Sequence, residues 1–497
     1  MGFTLGIDIG TFESKGVLVE DGGRIVAQAS CSHELIVPRP GWAEHRAEQD
    51  WWSDFVTITR GLLGDSGIDP PEIRAVATSA IGPCMLPVDR DGAPLINAVL
   101  YGVDTRAGDE IADLNQAIGE ATILTRCGNA LTAQSVGPKI LWFRRNHPEL
   151  WARTGKILSS TSYLTFKLTG EQVIDHYTAA SFSPLYDIAR QDWCFDLADI
   201  CAPELLPKLM WSTEIAGHVQ ESAAAETGLA AGTPVICGTI DAAAEAVSVG
   251  VNAPGDMMMM YGSTIFIILL SDTALSDARL WHAPWLFPGQ HAAMAGLATS
   301  GTLTHWFRDQ FASELPRDSA FAMLTREADA SPPGAKGLLC LPYFSGERTP
   351  IHDSHAKGCF FGLDLTHNRG DMYRAVLEGI AAATRHIADT YAEAGRRPAR
   401  VLAVGGGTRN RPWLQATSDI TGLDQIVCEV TTGASYGDAF LASLAVGSAE
   451  PGDITTWNPG ARTIKAERHV AYERQYPLFL KLYEQTRDIM AALDKGR

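Results

Sequence analysis

Residues 3–19 read Phe-Thr-Leu-Gly-Ile-Asp-Ile-Gly-Thr-Phe-Glu-Ser-Lys-Gly-Val-Leu-Val, and their spacing decides the fold. Phe3, Leu5, Ile7 and Ile9 alternate with Thr4, Gly6, Asp8 and Gly10, which is the two-residue period of a β-strand. A turn at 10–14, a return through 16–19, a second turn at Asp21-Gly22-Gly23 and a departing run at 24–29 predict a meander of three antiparallel strands. Beyond it, Trp52, Phe55, Val56, Thr59, Leu62 and Leu63 stand at helical spacing within 48–63, and an apolar strand follows at 73–79. A meander followed by alternating helices and strands is an α/β order.

The periodicity stops at 252–255, Asn-Ala-Pro-Gly, which predicts a boundary there. A second strand–turn–strand then begins, with strands at 257–261 and 265–270 around Gly262-Ser263-Thr264. It echoes the opening meander, although Asp8 is matched by Met260, and suggests two similarly built halves. The second half continues with a long amphipathic helix over 370–394, stopped by Gly395. After it come a strand at 400–404, a triple-glycine turn, a helix at 411–421, a strand at 425–430 and a helix at 435–446. A strand, a glycine turn and a helix in that order suit a nucleotide site.

At 497 residues the chain is too long for one core and allows about three domains, or two large ones. With 20% charged and 46% hydrophobic residues it is globular, and neither disordered nor collagen-like. Its 58 acidic and 40 basic residues give a net charge of −18, without a basic patch, which argues against a nucleic-acid partner. Any anionic ligand must therefore be held by backbone N–H groups, a few cations or a metal. The nine cysteines are scattered and form no C-x-x-C pair, as expected of a reducing compartment. Residues 1–19 lack a basic leader, and the longest apolar run, 257–270, is broken by Gly262, Ser263 and Thr264. A soluble, cytoplasmic protein with no membrane partner is expected.

Three hydroxyl- or glycine-rich turns each follow an apolar strand: Asp8 to Lys15, Tyr261 to Thr264, and Gly405 to Asn410. Glycines let the backbone approach a ligand closely, and Thr11, Ser14, Ser263 and Thr264 add side-chain donors, so phosphate is the natural guest; ordinary hairpin and βα turns are the alternative. No G-x-x-x-x-G-K-[ST] occurs, and 405–410 misses G-x-G-x-x-G at its last position. Asp241, at the start of an Ala-rich helix, reads either as an N-cap or as a general base taking a proton from an attacking alcohol; the residues alone favour the cap. Asp8, flanked by Ile7 and Ile9, needs a partner if buried: Mg²⁺, or hydrogen bonds that make it structural. Asp104 and Arg106, after apolar 98–100, suit either sugar hydroxyls or a helix cap.

These residues also resemble a known family. Gly6-Ile7-Asp8-Ile9-Gly10-Thr11, Pro138-Lys139-Ile140-Leu141-Trp142-Phe143, Gly238-Thr239-Ile240-Asp241, Leu341-Pro342-Tyr343-Phe344-Ser345-Gly346-Glu347-Arg348-Thr349-Pro350, Phe361-Gly362-Leu363 and Gly405-Gly406-Gly407 occur in the order found in FGGY carbohydrate kinases, of the sugar kinase, Hsp70 and actin superfamily. The resemblance spans almost the whole chain. It implies two ribonuclease H-like (actin-like ATPase) domains with a cleft between them, here 1–252 and 253–497. It implies ATP and Mg²⁺, transfer of the γ-phosphoryl to a hydroxyl of a small-molecule sugar or polyol, and it is compatible with a homodimer.

Residue by residue, the resemblance makes Asp8 the metal-associated carboxylate and Asp241 the catalytic base, a role it favours over the cap. Thr11, Ser14 and Lys15 fall in the first phosphate motif and Gly262, Ser263 and Thr264 in the second. Gly301 falls near the nucleotide's sugar and phosphates, and Gly405, Gly406 and Asn410 near the adenosine. Within the family the chain looks most similar to xylulokinases, with Gly82, Pro83, Asp104, Arg106 and Asp241 on the sugar side. It departs from them there: Ile81-Gly82-Pro83 stands for their Gln-Met-His, and Ala242 for the Asn after their base. Each lost polar contact weakens binding of the usual pentulose by about 1–3 kcal/mol, so another ketose or a deoxygenated analogue is expected on the less polar wall. Two readings of other classes remain: a non-catalytic ATP- or sugar-binding regulator on the same scaffold, and a nicotinamide dehydrogenase, which rests only on the imperfect glycine triplet.

Overall fold

The computed structural model describes residues 2–275 and 277–494. The opening alternation forms strands Phe3–Ile9, Glu13–Glu20 and Ile25–Ser32, paired antiparallel in succession. The strand Ile73–Ala80 lies parallel on the other side of the first. The sheet runs Ile215–His218, Pro234–Ile236, Ile73–Ala80, Phe3–Ile9, Glu13–Glu20, Ile25–Ser32. Leu5, Ile7 and Ile9 enter a core shared with Trp51, Phe55, Ile58 and Leu62. The helix carrying the last three starts as a wide turn, Ala47–Trp52, becomes α-helical over Ser53–Ser66, and ends at Gly67 with φ 65°.

The alternation in the first strand does not divide core from solvent, because its other face is covered too. Helix Ala434–Ala445 lies on it so closely that a Cβ on Gly6 would sit 2.0 Å from the Ser435 carbonyl oxygen. Thr4 and Ser443 hydroxyls meet there at 3.1 Å. The same helix packs on Asp241–Ser248, where a Cβ on Gly437 would lie 1.9 Å from the Ala244 carbonyl oxygen. Side-chain volume is excluded at both crossings, so glycine is the residue that fits.

The second sheet has the same strand order. Gly460–Ile464, Gln425–Cys428, Arg400–Val404, Asp256–Tyr261, Ile265–Ser271 and His291–Leu297 follow one another. As in the first sheet, an antiparallel hairpin is extended by two parallel strands and closed by an antiparallel one. Helix Arg369–Glu393 opens with a capping box, Asn368 accepting the Asp371 N–H and Asp371 accepting the Asn368 N–H. Helix Arg411–Thr421 ends at Gly422, φ 73°.

The chain packs as two compact units, both α/β. One comprises residues up to Asn252 with Asp272–Ala292 and Thr432–Pro459; the other comprises Ala253–Ser271, Ala293–Thr431 and residues from Gly460 on. A single cut after 252 therefore does not describe the packing, since the helix from Ala434, distant in sequence, completes the first unit. All nine cysteines are unpaired. Among the described residues no helix is long and apolar enough to cross a membrane.

Candidate functional site

The strand register places Asp8 opposite Lys15 on one side and Ser79 on the other. The Ser79 hydroxyl lies 3.1 Å from Asp8 Oδ1 and 2.7 Å from Asp438 Oδ2, and the Ser79 N–H donates to the same Asp438 oxygen at 3.1 Å. One hydroxyl proton cannot serve both acids together, and the shorter bond is to Asp438. Asp438 comes from helix Ala434–Ala445 and is fully buried, with no hydrogen-bond partner on Oδ1 among the described residues. Asp241 is the first residue of helix Asp241–Ser248. The N-cap position itself is Ile240, and the Asp241 carboxylate accepts the Ala242 N–H at 2.7 Å. Glu245 is one turn further on.

The four acids shape one another's chemistry. Burial raises the Asp8 pKa to about 7 against the lowering effects of Ser79 and Lys15. Burial and then the Asp8 charge push Asp241 well above the carboxylate range and Glu245 to about 7. Burial, Asp8 and Asp241 do the same to Asp438. Lys15 is half exposed and paired with Glu13 at 3.2 Å. Carboxylates in this state are stabilised by taking up protons or by a cation. Among the described residues no three His, Cys, Asp or Glu side chains are grouped to hold a metal ion.

The turn after Asp8 is fixed from behind. His33 Nε2 is 3.0 Å from the Gly10 carbonyl oxygen and His45 Nε2 is 3.1 Å from that of Thr11. Ser14, expected as a phosphate donor, turns inward instead: it is fully buried and its hydroxyl donates to Asp54 Oδ2 at 2.7 Å. No periodicity could reveal this, because Asp54 lies 40 residues away.

In the second unit, the turn at Gly262-Ser263-Thr264 meets the segment before helix Gly301–Phe311. The Gly301 N–H donates to the Gly262 carbonyl, and the Ser300 and Thr302 N–H groups donate to that of Ser263, each at 3.1 Å. A Cβ on Gly301 would stand 2.4 Å from the Gly262 oxygen, so this approach requires glycine. At Gly405, φ 90°, a Cβ would fall 2.7 Å from the Tyr261 carbonyl oxygen, whereas one on Gly406 would meet nothing within 4 Å, so Gly406 presents open backbone. Asn410 caps helix Arg411–Thr421, its Oδ1 accepting the Trp413 N–H at 3.2 Å and its Nδ2 donating to the Tyr373 hydroxyl at 3.2 Å. The structure thus brings Gly262 to Thr264, Gly301, Gly405 and Gly406 to neighbouring strand ends.

On the expected sugar side, Gly82 abuts Ile240, with a Cβ only 2.8 Å from Ile240 Cγ1, and Pro83 is buried. The wall beside Asp241 is therefore apolar. Asp104 and Arg106 are enclosed and paired with each other. Arg106 Nη2 lies 2.7 Å from Asp104 Oδ2 and 2.8 Å from Glu44 Oε1, its guanidinium 3.8 Å from the Trp42 ring centroid, and its side chain is 1% exposed. Asp104 also accepts the Ala43 N–H at 2.7 Å. Asp438, Glu245, His33 and His45 were missed by sequence reasoning. Asp438 and Glu245 carried a signal, each a charge set within the apolar run of its helix.

The chain matches the N-terminal domain of the FGGY family of carbohydrate kinases over residues 3–248 and its C-terminal domain over 257–446. It belongs to that family. It is 29% identical to a xylulose kinase of Bacillus subtilis across the whole of both chains, and 29% identical to a xylulose kinase of Escherichia coli, covering 98% of this chain and 100% of the other. The crystal structure of a xylulose kinase from Rhodospirillum rubrum superposes with a TM-score of 0.92 at 32% identity, over 98% of this chain and 99% of that one. The protein is thus a sugar kinase, with ATP as the phosphoryl donor that the family implies.

Proposed function

We propose that this FGGY kinase phosphorylates a five-carbon ketose or a deoxygenated relative of one, with Asp241 as the general base. The observation that carries the reading is Asp241 itself: half-buried at a helix start, held through one oxygen by the Ala242 N–H, and raised in pKa by desolvation and by Asp8. A carboxylate of high pKa is a strong base once ionised. Asp241 accepts the proton of the sugar hydroxyl as its oxygen bonds to the γ-phosphorus, the bond to the β-phosphate oxygen breaks, and ADP leaves. In the first unit, Thr11, Lys15 and the Thr11 and Phe12 amides, which have no partner among the described residues, suit phosphate oxygens; in the second, the turn at 262–264 suits phosphate, Gly301 the ribose side, and Gly405, Gly406 and Asn410 the adenosine.

The donor set fits Mg²⁺: Asp8 has a raised pKa and, among the described residues, only the shared Ser79 hydroxyl as a side-chain hydrogen-bond partner. Asp8 would hold the ion. When bound, Mg²⁺ neutralises charge on the phosphate oxygens. Its charge also favours the ionised form of the acids nearby.

The similarity to xylulose kinases supports a pentulose; the apolar wall of Ile81, Pro83 and Ile240, with Ala242 after the base, supports a substrate with fewer hydroxyls there. Gly82 and Pro83 shape that wall. Asp104 and Arg106, being enclosed, serve the sugar by fixing the segments around Trp42 and Tyr101. An ADP-release screen across ketoses, deoxyketoses, polyols and gluconate tests this, together with Asp241→Asn. Turnover is expected with a pentulose or deoxypentulose, and the variant should lose about 10²–10⁴-fold in kcat while still binding ADP. Activity confined to glycerol or gluconate would overturn the substrate class, and full turnover by the variant would overturn the base.

A further inference from the structure

We propose that His33 and His45 are positioning residues for the nucleotide: their ring N–H groups draw the Gly10 and Thr11 carbonyls to one side, so that the Thr11 and Phe12 amides point together at a phosphoryl group. The inference rests on the reading that this turn holds phosphate. In a trans peptide the C=O and the N–H of one unit point in opposite directions. Gly10 O shares its peptide unit with Thr11 N–H, and Thr11 O shares its own with Phe12 N–H; both bonds are trans. Capture of the two carbonyls by rings whose centroids are 4.9 Å apart therefore aims both amides the other way. Neither amide has a partner among the described residues, and two convergent N–H groups make an anion-binding concavity.

The protonation of both rings follows from their neighbours. Trp51 Nε1–H donates to His45 Nδ1 at 3.1 Å, so the His45 proton is on Nε2, facing Thr11 O. Burial holds His45 neutral, its pKa lowered to about 4. His33 has acceptors at both ends, Asp54 Oδ2 at 2.8 Å from Nδ1 and Gly10 O at Nε2, and only the imidazolium satisfies both. Burial lowers the His33 pKa, but Asp54, the Gly10 carbonyl and the Asp50 charge together raise it above 6.5. The groups facing His33 are Asp54 and Ser14, Asp50 from the wide turn and the neutral His45 ring; the Cys31 thiol of the preceding strand meets the same Asp54 and is pushed up by burial and by it.

The second unit offers an independent parallel. Its turn has the carbonyls of Gly262 and Ser263 captured by the N–H groups of 300–302, and the amides of Ser263 and Thr264 are left without a partner among the described residues. Two hairpin turns reach one arrangement by different means, backbone N–H groups in one and imidazoles in the other.

Calorimetric titration of ADP tests the proposal. His33→Ala should weaken ADP about tenfold, raise KM for ATP more than it lowers kcat, and leave KM for the sugar unchanged. His33→Gln, which returns an N–H toward Gly10 O without a titrating ring, should bind within about threefold of the wild type. It should also lose the wild type's decline in ADP affinity as pH rises through the His33 pKa, where the neutral ring keeps its proton on Nδ1 against Asp54 and no longer donates from Nε2 to Gly10 O. His45→Leu and His45→Gln give a second pair, should His33→Ala not fold. Wild-type affinity in the alanine and leucine variants, or glutamine no better than either, would overturn the clamp. Thr11→Pro deletes one of the two amides: weakened binding there with intact binding in the histidine variants sinks the clamp alone, whereas intact binding in all of them sinks the phosphate turn as well.

Discussion

At the scale of single residues, Asp438 makes the sharpest energetic statement. Its carboxyl is fully buried, its Oδ1 has no partner among the described residues, and its pKa is pushed well above the usual carboxylate range by burial, Asp8 and Asp241. The folded state therefore binds a proton that the unfolded chain releases above a pH of about 4, and stability falls as pH rises from there. Asp438→Asn keeps an acceptor for Ser79 and removes the titration. Without nucleotide or metal, it should unfold like the wild type near pH 4 and gain on it steadily toward neutrality, by roughly 1–3 kcal/mol. Thermal unfolding of the two proteins across pH 4–8 checks this, and a gain that is constant with pH would refute it. Ser14 and Arg106 teach a different lesson at this scale. Both have the chemistry of ligand-binding residues, and both are turned to protein partners: Ser14 to Asp54, 40 residues away, and Arg106 to neighbouring Asp104 together with distant Glu44 and Trp42.

Among the elements, helix Ala434–Ala445 is the one on which most depends. It crosses the opening strand at Gly6 and helix Asp241–Ser248 at Gly437, each so closely that a methyl group has no room. Gly437→Ala should cost about 1–3 kcal/mol through forced separation of the two helices. It should also lower kcat, because Asp241 begins the helix being displaced; chemical denaturation and steady-state rates read the two effects. The local pattern announced this helix to within a residue at each end, along with strand Arg400–Val404 and helix Arg411–Thr421. Those elements were legible because apolar spacing and end signals such as Asn410 and Gly422 are properties of a short stretch. The wide turn Ala47–Trp52 ahead of Ser53 was not, since its carbonyl geometry leaves no mark on the spacing of apolar side chains.

On the scale of the whole molecule, the path of the chain matters more than the family match alone suggests. The first unit is finished by Thr432–Pro459, which carries Asp438 and the helix over the sheet. Tyr436 donates its hydroxyl to the Gly23 carbonyl at 2.7 Å across 413 residues. A fragment of residues 1–252 would leave that face of the sheet bare, including Thr4, Gly6 and the Ser79 amide. It is expected to lack fixed near-ultraviolet circular dichroism and to bind a hydrophobic dye, while adding residues 432–459 in trans or by fusion should restore order. A cooperative, well-packed fragment on its own would contradict this.

The sequence by itself determined the α/β order, the two hairpins with their glycine turns, the second hairpin's likeness to the first, and the family. These follow from spacing within some twenty residues, where backbone geometry dictates which side chains share a face. Only the tertiary structure decided that Ser14 faces Asp54, that Arg106 is enclosed between Trp42 and Glu44, that two histidines brace the first turn, and that a fourth acid arrives from the far end of the chain. Partners of that kind are chosen by packing, which brings together groups whose separation along the chain carries no periodic signal.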